Sequence, residues 1–171
     1  MSLFCWNIAN SVDCCLQALH TARYDAAILT RNNWSYIVGG KHIDCECFCC
    51  DLDSCELINV TTKQCRTLPD LRNARSCSTA ILFTNQHIVV VGGEQTRTAE
   101  ILDLDPCIPI RMWQFLSLTV EARTRSCACI YGGYIYVIGG CDVDAGCIEV
   151  YDLTTNDWEE ICEYGSLVVV I

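Results

Sequence analysis

The chain has few basic residues, few prolines and no long apolar run. Its 171 residues hold 11 lysines and arginines against 21 acidic residues, and residues 126–171 contain no base. A net charge of −10 argues against a nucleic acid or an anionic membrane surface as partner, because both attract clustered positive charge. The longest apolar run, 167–171, is too short to span a bilayer. We therefore expect neither nucleic acid nor membrane among the partners.

The start of the chain also lacks the features of a secretory leader. Met1–Asn10 has no basic start and no apolar run of the length that a signal peptide requires. The 16 cysteines would suit a secreted scaffold stapled by disulfides. Without a leader, we instead expect a cytoplasmic, cysteine-rich protein whose thiols stay reduced.

What the sequence does contain is a repeat of about 50 residues. Three short apolar runs each end in a glycine doublet, and an arginine precedes each doublet by 16 or 17 residues. The three sets are Arg23 with Gly39 and Gly40, Arg75 with Gly92 and Gly93, and Arg123 with Gly139 and Gly140. Two apolar stretches around a polar or glycine turn lie between arginine and doublet, which is typical of a β-hairpin.

The second half of each repeat has its own pattern. A glutamate (Glu56, Glu100 or Glu149) is followed by two apolar residues, Asp or Asn, and another apolar residue. A large apolar position comes next, occupied by Cys65, Trp113 and Trp158. Because arginine and glutamate recur once per repeat, we expect both to serve the framework and to join neighbouring repeats by charge-assisted hydrogen bonds.

Each repeat accommodates four short strands, near residues 25–29, 34–38, 55–60 and 64–67 in the first repeat. Helical periodicity is absent, so the sequence predicts an all-β fold. Four strands in a repeat of about 50 residues are typical of one blade of a β-propeller.

These residues resemble the kelch repeat family. The third repeat is the best match, with Arg123, the run 134–140 that ends in the doublet, Glu149 and Trp158. The resemblance covers about residues 16–162. It implies kelch-type propeller blades of four antiparallel strands, in a family that is used mostly for protein binding.

We predict a single kelch-repeat domain over residues 1–171, with about three blades in an incomplete ring. The predicted boundaries are the end of a preceding blade at 1–19, blade 1 at 20–68, blade 2 at 72–117, blade 3 at 120–162 and the start of a further strand at 163–171. Even the smallest propellers have four blades. Three explanations stay open: a truncated product, closure of the ring by self-association, or a partner that covers the open ends.

Recognition is expected in the loops that follow the glycine doublets, because these loops differ completely between repeats. Variable loops on a fixed scaffold are where binding residues concentrate, and the resemblance implies that kelch proteins grip partner peptides with these loops. The predicted partner-binding residues are Lys41, His42, Arg97, Asp142 and Asp144.

A cluster of four cysteines at 45–50 includes one C-x-x-C pair. A structural zinc site usually has two such pairs, and no histidine stands in zinc-finger spacing. We therefore interpret the cysteines as small apolar residues of blade cores, as at Cys65 in the tryptophan position, and predict neither a metal nor a cofactor. The chain also lacks phosphate-binding, dinucleotide-binding and serine-nucleophile motifs, so we predict no enzyme.

The sequence therefore predicts a non-catalytic protein-binding module whose partner it does not identify. Many kelch proteins present substrates to ubiquitin ligases through a BTB domain, and no such domain precedes the repeats in this sequence. We accordingly expect a truncated substrate-recognition domain without its BTB part. The alternatives are a cysteine-based zinc-binding or redox protein and a non-functional fragment of a larger kelch protein.

Overall fold

A computed structural model describes residues 19–43, 51–108, 111–140 and 147–161. Within these ranges the chain forms strands and turns but no helix, which confirms the predicted all-β fold. No segment of the described ranges is a helix of the length and apolarity needed to cross a membrane.

The described ranges contain 14 strands. In chain order they are β1 Arg23–Tyr24, β2 Ala27–Arg31, β3 Trp34–Val38, β4 Lys41–His42, β5 Cys55–Asn59, β6 Cys65–Leu68, β7 Thr79–Phe83, β8 His87–Val91, β9 Ala99–Asp103, β10 Gln114–Phe115, β11 Cys127–Tyr131, β12 Tyr134–Ile138, β13 Ile148–Asp152 and β14 Asp157–Ile161. The four strands predicted for the first repeat are all present, with ends within two residues of the predicted ones.

Three antiparallel sheets of four strands account for most of these elements. Their strand orders are β2-β3-β5-β6 (blade 1), β7-β8-β9-β10 (blade 2) and β11-β12-β13-β14 (blade 3), while β1 and β4 form a separate two-stranded sheet. Strands that neighbour one another in a blade follow one another along the chain, as in an antiparallel meander, except that the short β4 lies between β3 and β5. The first strands lie together, with β7 packed against both β2 and β11. The described sheets thus form an arc of three propeller blades and not a closed ring, as predicted.

Local sequence explains the first hairpin of blade 3. In blade 3, Tyr131 pairs with Tyr134, which leaves Gly132 and Gly133 as a two-residue turn with positive φ at both positions. Such turns match the twist of the flanking strands, and glycine adopts them without steric cost.

The hydrophobic core lies between the blades. Along β8, Ile88 and Val90 face blade 1, whereas Val89 and Val91 face blade 3. All four side chains are fully buried. Because successive side chains of a strand point to opposite faces, one central blade contributes to two separate cores.

Residues 1–18 and 162–171, which include nearly all of the predicted strands of a preceding and a following blade, lie outside the described residues. The predicted domain boundaries therefore stay a prediction.

Candidate functional site

A buried ion pair organises each blade. The guanidinium groups of Arg23, Arg75 and Arg123 contact the carboxylates of Glu56, Glu100 and Glu149 at 2.5, 2.6 and 2.7 Å. Each arginine also donates to the carbonyl of the first glycine of its own doublet, at 2.8–2.9 Å. Burial lowers the pKa of Arg75, while the charge of Glu100 and its hydrogen bond oppose that shift.

Two backbone N–H groups complete the coordination of each glutamate. In blade 2, Glu100 accepts from Arg72 N at 2.8 Å and Asn73 N at 3.1 Å. Equivalent bonds reach Glu56 from His20 and Thr21, and Glu149 from Val120 and Glu121. We call the arginine, the glutamate and these two N–H groups the frame of a blade. A buried carboxylate is stabilised by donors of this kind, which explains why the frame residues recur together.

The frame joins blades differently from the expectation. The charge-assisted side-chain bonds stay within one blade, because the arginine side chain turns back into its own sheet. The contact between blades is made by the backbone: Gly40 N donates to Arg75 O at 2.8 Å, and Gly93 N donates to Arg123 O at 3.0 Å. We call this backbone contact between the second glycine of one doublet and the arginine of the next blade a junction. The arginine thus takes part in the junction through its carbonyl and in the frame through its side chain.

The junction also explains the first glycine of the doublet. Gly39 and Gly92 have φ of +62° and +66°, and a Cβ on either would collide with the carbonyl oxygen of the next blade's arginine. In blade 3, Gly139 keeps the same φ of +68°, but no described atom lies within 4 Å of its Cβ position. That face of blade 3 is uncovered in the described part of the chain.

Non-repeating side chains meet next to the junctions. Asp25, Cys77 and Arg125 each stand two residues after a frame arginine, and all three have φ between 51° and 58°. Their backbones form a ladder in which Cys77 N donates to Asp25 O at 2.9 Å and Arg125 N donates to Cys77 O at 2.8 Å. Asp25 Oδ2 lies 3.4 Å from Cys77 Sγ and 3.6 Å from Arg125 Nη2. One carboxylate is thus approached by groups from two other blades.

The predicted loop residues lie at the same end of the blades. Lys41 Nζ forms an ion pair with Glu94 Oε2, which joins the loops after the first and second doublets. The hydrogen bond from Glu94 raises the pKa of Lys41, so its ammonium stays charged. His42 lies in β4, opposite Arg23 of β1. We call this end of the molecule, with Asp25, Cys77, Arg125, Lys41, Glu94 and Arg97, the rim.

Arg97 is exposed but anchored, because its Nε donates to Thr119 O at 2.7 Å. Asp142 and Asp144 lie outside the described residues. The part that these five predicted residues play in partner binding stays a prediction.

Sequence reasoning missed Asp25, Cys77, Arg125 and Glu94. A signal for the first three was present, since different residue types follow a constant arginine at a constant offset. The partnership of Lys41 with Glu94 had no such signal, because 53 residues separate the two in the chain.

Cys55, Cys65 and Cys77 form no disulfide, and all three are poor nucleophiles. Burial raises the pKa of the Cys55 thiol to about 12. Burial and the Asp25 carboxylate raise the pKa of Cys77, and burial and Glu56 raise that of Cys65. Since the thiolate is the reactive form, these groups are not activated for nucleophilic or redox chemistry. The cluster at 45–50 lies outside the described residues.

The tryptophan position differs between blades. Trp113 is fully buried, and its indole N–H donates to Pro69 O at 2.9 Å; Trp158 is similarly buried and donates to Ser117 O at 3.1 Å. Cys65, expected to act there as a small apolar residue, instead lies with its Sγ 3.1 Å from Glu56 Oε2 and 3.5 Å from His20 Nδ1. The short cysteine side chain leaves the thiol beside the frame carboxylate, where it forms a polar contact.

Comparison with known proteins agrees with this architecture. The kelch motif model matches residues 122–161. One F-box/kelch-repeat protein of Arabidopsis thaliana is 31% identical over 101 residues, which are 56% of this chain and 25% of the relative. A second is 33% identical over 93 residues, which are 53% of this chain and 23% of the relative. Kelch-like protein 30 of Mus musculus is 26% identical over 102 residues, 57% of this chain and 18% of the relative. The chain thus spans about a quarter or less of the length of these relatives.

The blades, their frames and their junctions define a repeat protein of the propeller class. The motif match and the relatives show that residues 122–161 carry a kelch motif and that this chain is similar to kelch-repeat proteins. Kelch repeats generally form protein-interaction domains without enzymatic activity.

Proposed function

We propose that this chain is a non-catalytic protein-binding module that contacts its partner through the rim. One observation carries the proposal: Asp25, Cys77 and Arg125 differ in chemistry but lie on a backbone ladder that is the same in all three blades. A constant backbone with changing side chains is the arrangement that places recognition residues on a rigid scaffold.

The charges of the rim indicate the kind of contact. Asp25 and Glu94 are acidic, Lys41 and Arg125 are basic, and Arg125 keeps 62% of its side chain exposed. A surface with both signs at fixed positions selects a partner by the arrangement of its charges and hydrogen-bonding groups. We infer that the partner is a protein segment that carries both acidic and basic groups.

The raised pKa values of Cys55, Cys65 and Cys77 support a module without redox catalysis. The reduced thiols of Cys55, Cys65 and Cys77 support the proposal that the protein works in the cytoplasm. The resemblance to kelch-like proteins supports a finer proposal, that the module selects the substrate of a larger assembly.

The rim is tested by reversing one of its charges. The Arg125→Glu variant keeps the backbone ladder, since only an exposed side chain changes. The matched control is Lys63→Glu, an exposed residue in the turn between β5 and β6. This turn lies at the end of blade 1 opposite the rim. β3 ends at the glycine doublet, and β5 runs antiparallel to β3 and so leads the chain away from the doublet.

Proteins captured from a cell extract by the three chains would be compared by quantitative mass spectrometry. We expect a set that the wild type and Lys63→Glu retain and Arg125→Glu loses. If Arg125→Glu retains every protein that the wild type captures, the rim is not the contact surface.

We also propose self-association through the uncovered face of blade 3. Its support is the open space at Gly139 and the exposed side chains of Tyr131 and Tyr134, which pair across β11 and β12 on the face turned away from blade 2 and leave it without a described neighbour. The mass of the chain in solution tests this, since a dimer would weigh twice the 19.1 kDa of the monomer.

A further inference from the structure

Three groups of different chemistry converge in blade 1 where blades 2 and 3 have a tryptophan. His20 Nδ1 lies 3.2 Å from Glu56 Oε2 and 3.5 Å from Cys65 Sγ, and Glu56 Oε2 lies 3.1 Å from Cys65 Sγ. All three atoms are within 4.8 Å of one another. An imidazole nitrogen, a carboxylate oxygen and a thiol sulfur thus surround one small space.

Each of the three residues is held in place by the frame. Glu56 is almost fully buried and accepts from Arg23 Nη2 at 2.5 Å through its other oxygen. His20 is fixed by its own backbone, because its N–H donates to Glu56 Oε2 at 2.7 Å. Cys65 is the first residue of β6 and pairs with Ile58 of β5. The arrangement is therefore preorganised by backbone and frame bonds in which neither the imidazole of His20 nor the thiol of Cys65 takes part.

The other two blades show that the frame does not need these groups. The residue that donates its N–H in the manner of His20 is Arg72 in blade 2 and Val120 in blade 3. The position of Cys65 is occupied by Trp113 and Trp158. Glu100 and Glu149 form the same frame bonds without a thiol or imidazole at these positions. Blade 1 therefore has an imidazole and a thiol beside a frame that forms without them in blades 2 and 3.

We propose that His20, Glu56 and Cys65 bind a zinc ion. Sulfur, nitrogen and oxygen donors together suit Zn²⁺ better than the all-oxygen sets that calcium and magnesium prefer. Ligand atoms around tetrahedral zinc lie about 3.3–3.6 Å apart, as the usual bond lengths require. The three observed separations are within a few tenths of an ångström of that range.

The coordination is chemically consistent with the surrounding hydrogen bonds. Glu56 Oε2 keeps the bond from His20 N on one lone pair and offers the other to zinc. His20 coordinates through Nδ1 and keeps its hydrogen on Nε2, and Cys65 releases its thiol proton to solvent on binding. With 51% of the His20 side chain exposed, the fourth position is open to water. The inference does not rest on the proposed function, because no rim residue takes part.

The test measures zinc bound to the full chain after saturation and removal of loose metal by a weak chelator. Elemental analysis is compared between the wild type, Cys65→Ser, His20→Ala and Cys65→Trp. The matched control is Cys129→Ser, which removes an exposed thiol from blade 3. Cobalt in place of zinc adds a second readout, since a bound thiolate gives a sulfur-to-cobalt charge-transfer absorption.

We expect the wild type and Cys129→Ser to hold one more equivalent of zinc than Cys65→Ser and His20→Ala. Zinc bound by other cysteines contributes equally to all chains and cancels in this difference. Should Cys65→Ser fail to fold, Cys65→Trp decides the matter, because it installs the residue that this position has in blades 2 and 3. The proposal would be overturned if the wild type held no more zinc than the Cys65 and His20 variants. It would also be overturned if Cys129→Ser lost as much zinc as those variants do.

Discussion

Blades 1 and 2 share one frame but differ in what lies beside it. In blade 2, Trp113 fills the core that this blade shares with blade 1, and Glu100 has only frame partners among the hydrogen bonds described above. In blade 1, Cys65 and His20 approach Glu56 and form a half-exposed polar cluster. The frame therefore fixes the strands of a blade, while the residue in the tryptophan position decides whether the adjoining space is apolar core or a polar cluster.

Truncating the side chains that distinguish the two blades should lower their stability by very different amounts. Trp113→Ala should lower the free energy of unfolding by about 3–5 kcal/mol, because it empties a buried site in the core between blades 1 and 2. Cys65→Ala should cost about 1 kcal/mol, the typical worth of one lost hydrogen bond. Urea denaturation followed by circular dichroism measures both values. Equal losses would show that Cys65 packs as the tryptophan does.

A smaller effect is expected from the junction, which blades 1 and 2 have in common. Gly39→Ala should cost about 2–4 kcal/mol, since the new Cβ meets a backbone carbonyl and the residue keeps a left-handed φ. Gly92→Ala should cost a similar amount, because its new Cβ would lie as close to the Arg123 carbonyl oxygen as the new Cβ of Gly39→Ala would lie to the Arg75 oxygen.

Gly139→Ala is the control for this second prediction. It has the same φ without the described contact, so it should cost only about 1–2 kcal/mol for the left-handed conformation. The three variants would be compared by thermal and urea unfolding. If Gly139→Ala costs as much as Gly39→Ala, backbone conformation and not the contact between blades governs the doublet.

The smallest expected effect is a pH dependence specific to blade 1. Burial acts to raise the pKa of Glu56, but hydrogen bonds from Cys65, His20 and Thr21 and the charge of Arg23 together lower it below the ordinary 4.5. Because the folded-state pKa is the lower one, this contribution to stability is fully present above the unfolded-state pKa and is lost as pH falls through the folded-state pKa.

Glu56→Gln should therefore destabilise the protein at neutral pH and should lose part of that penalty in acid. The difference in unfolding free energy between wild type and variant, measured at several pH values from 7 down to 3, checks this. A difference that stays constant over the whole range would contradict the prediction.

The sequence alone could predict the blades, because a residue that recurs at a fixed spacing has the same structural role each time. Arginine, glutamate and the glycine doublet did so, and the four strands of blade 1 followed from their positions. The junction between Gly40 and Arg75 could not be predicted in detail, since a side-chain pattern gives no information on which backbone atoms meet.

The convergence of His20, Glu56 and Cys65 was beyond sequence reasoning for a related reason. His20 and Cys65 are 45 residues apart, and neither stands in a spacing that zinc sites usually have. Only the frame brings them together, by fixing the backbone of His20 on the carboxylate that Cys65 also contacts. The ion pair of Lys41 with Glu94 was missed similarly, because two loops had to be placed side by side first.

The junction between blades has a consequence for how such proteins evolve. Gly40 and Arg75 meet through N–H and carbonyl groups, which every residue except proline carries in the same form. Point mutations elsewhere can therefore change the side chains of one blade while the next blade keeps its position. The relative position of the blades can thus be conserved in evolution while their side chains change. A single blade can then carry a thiol and an imidazole where the other blades have tryptophan.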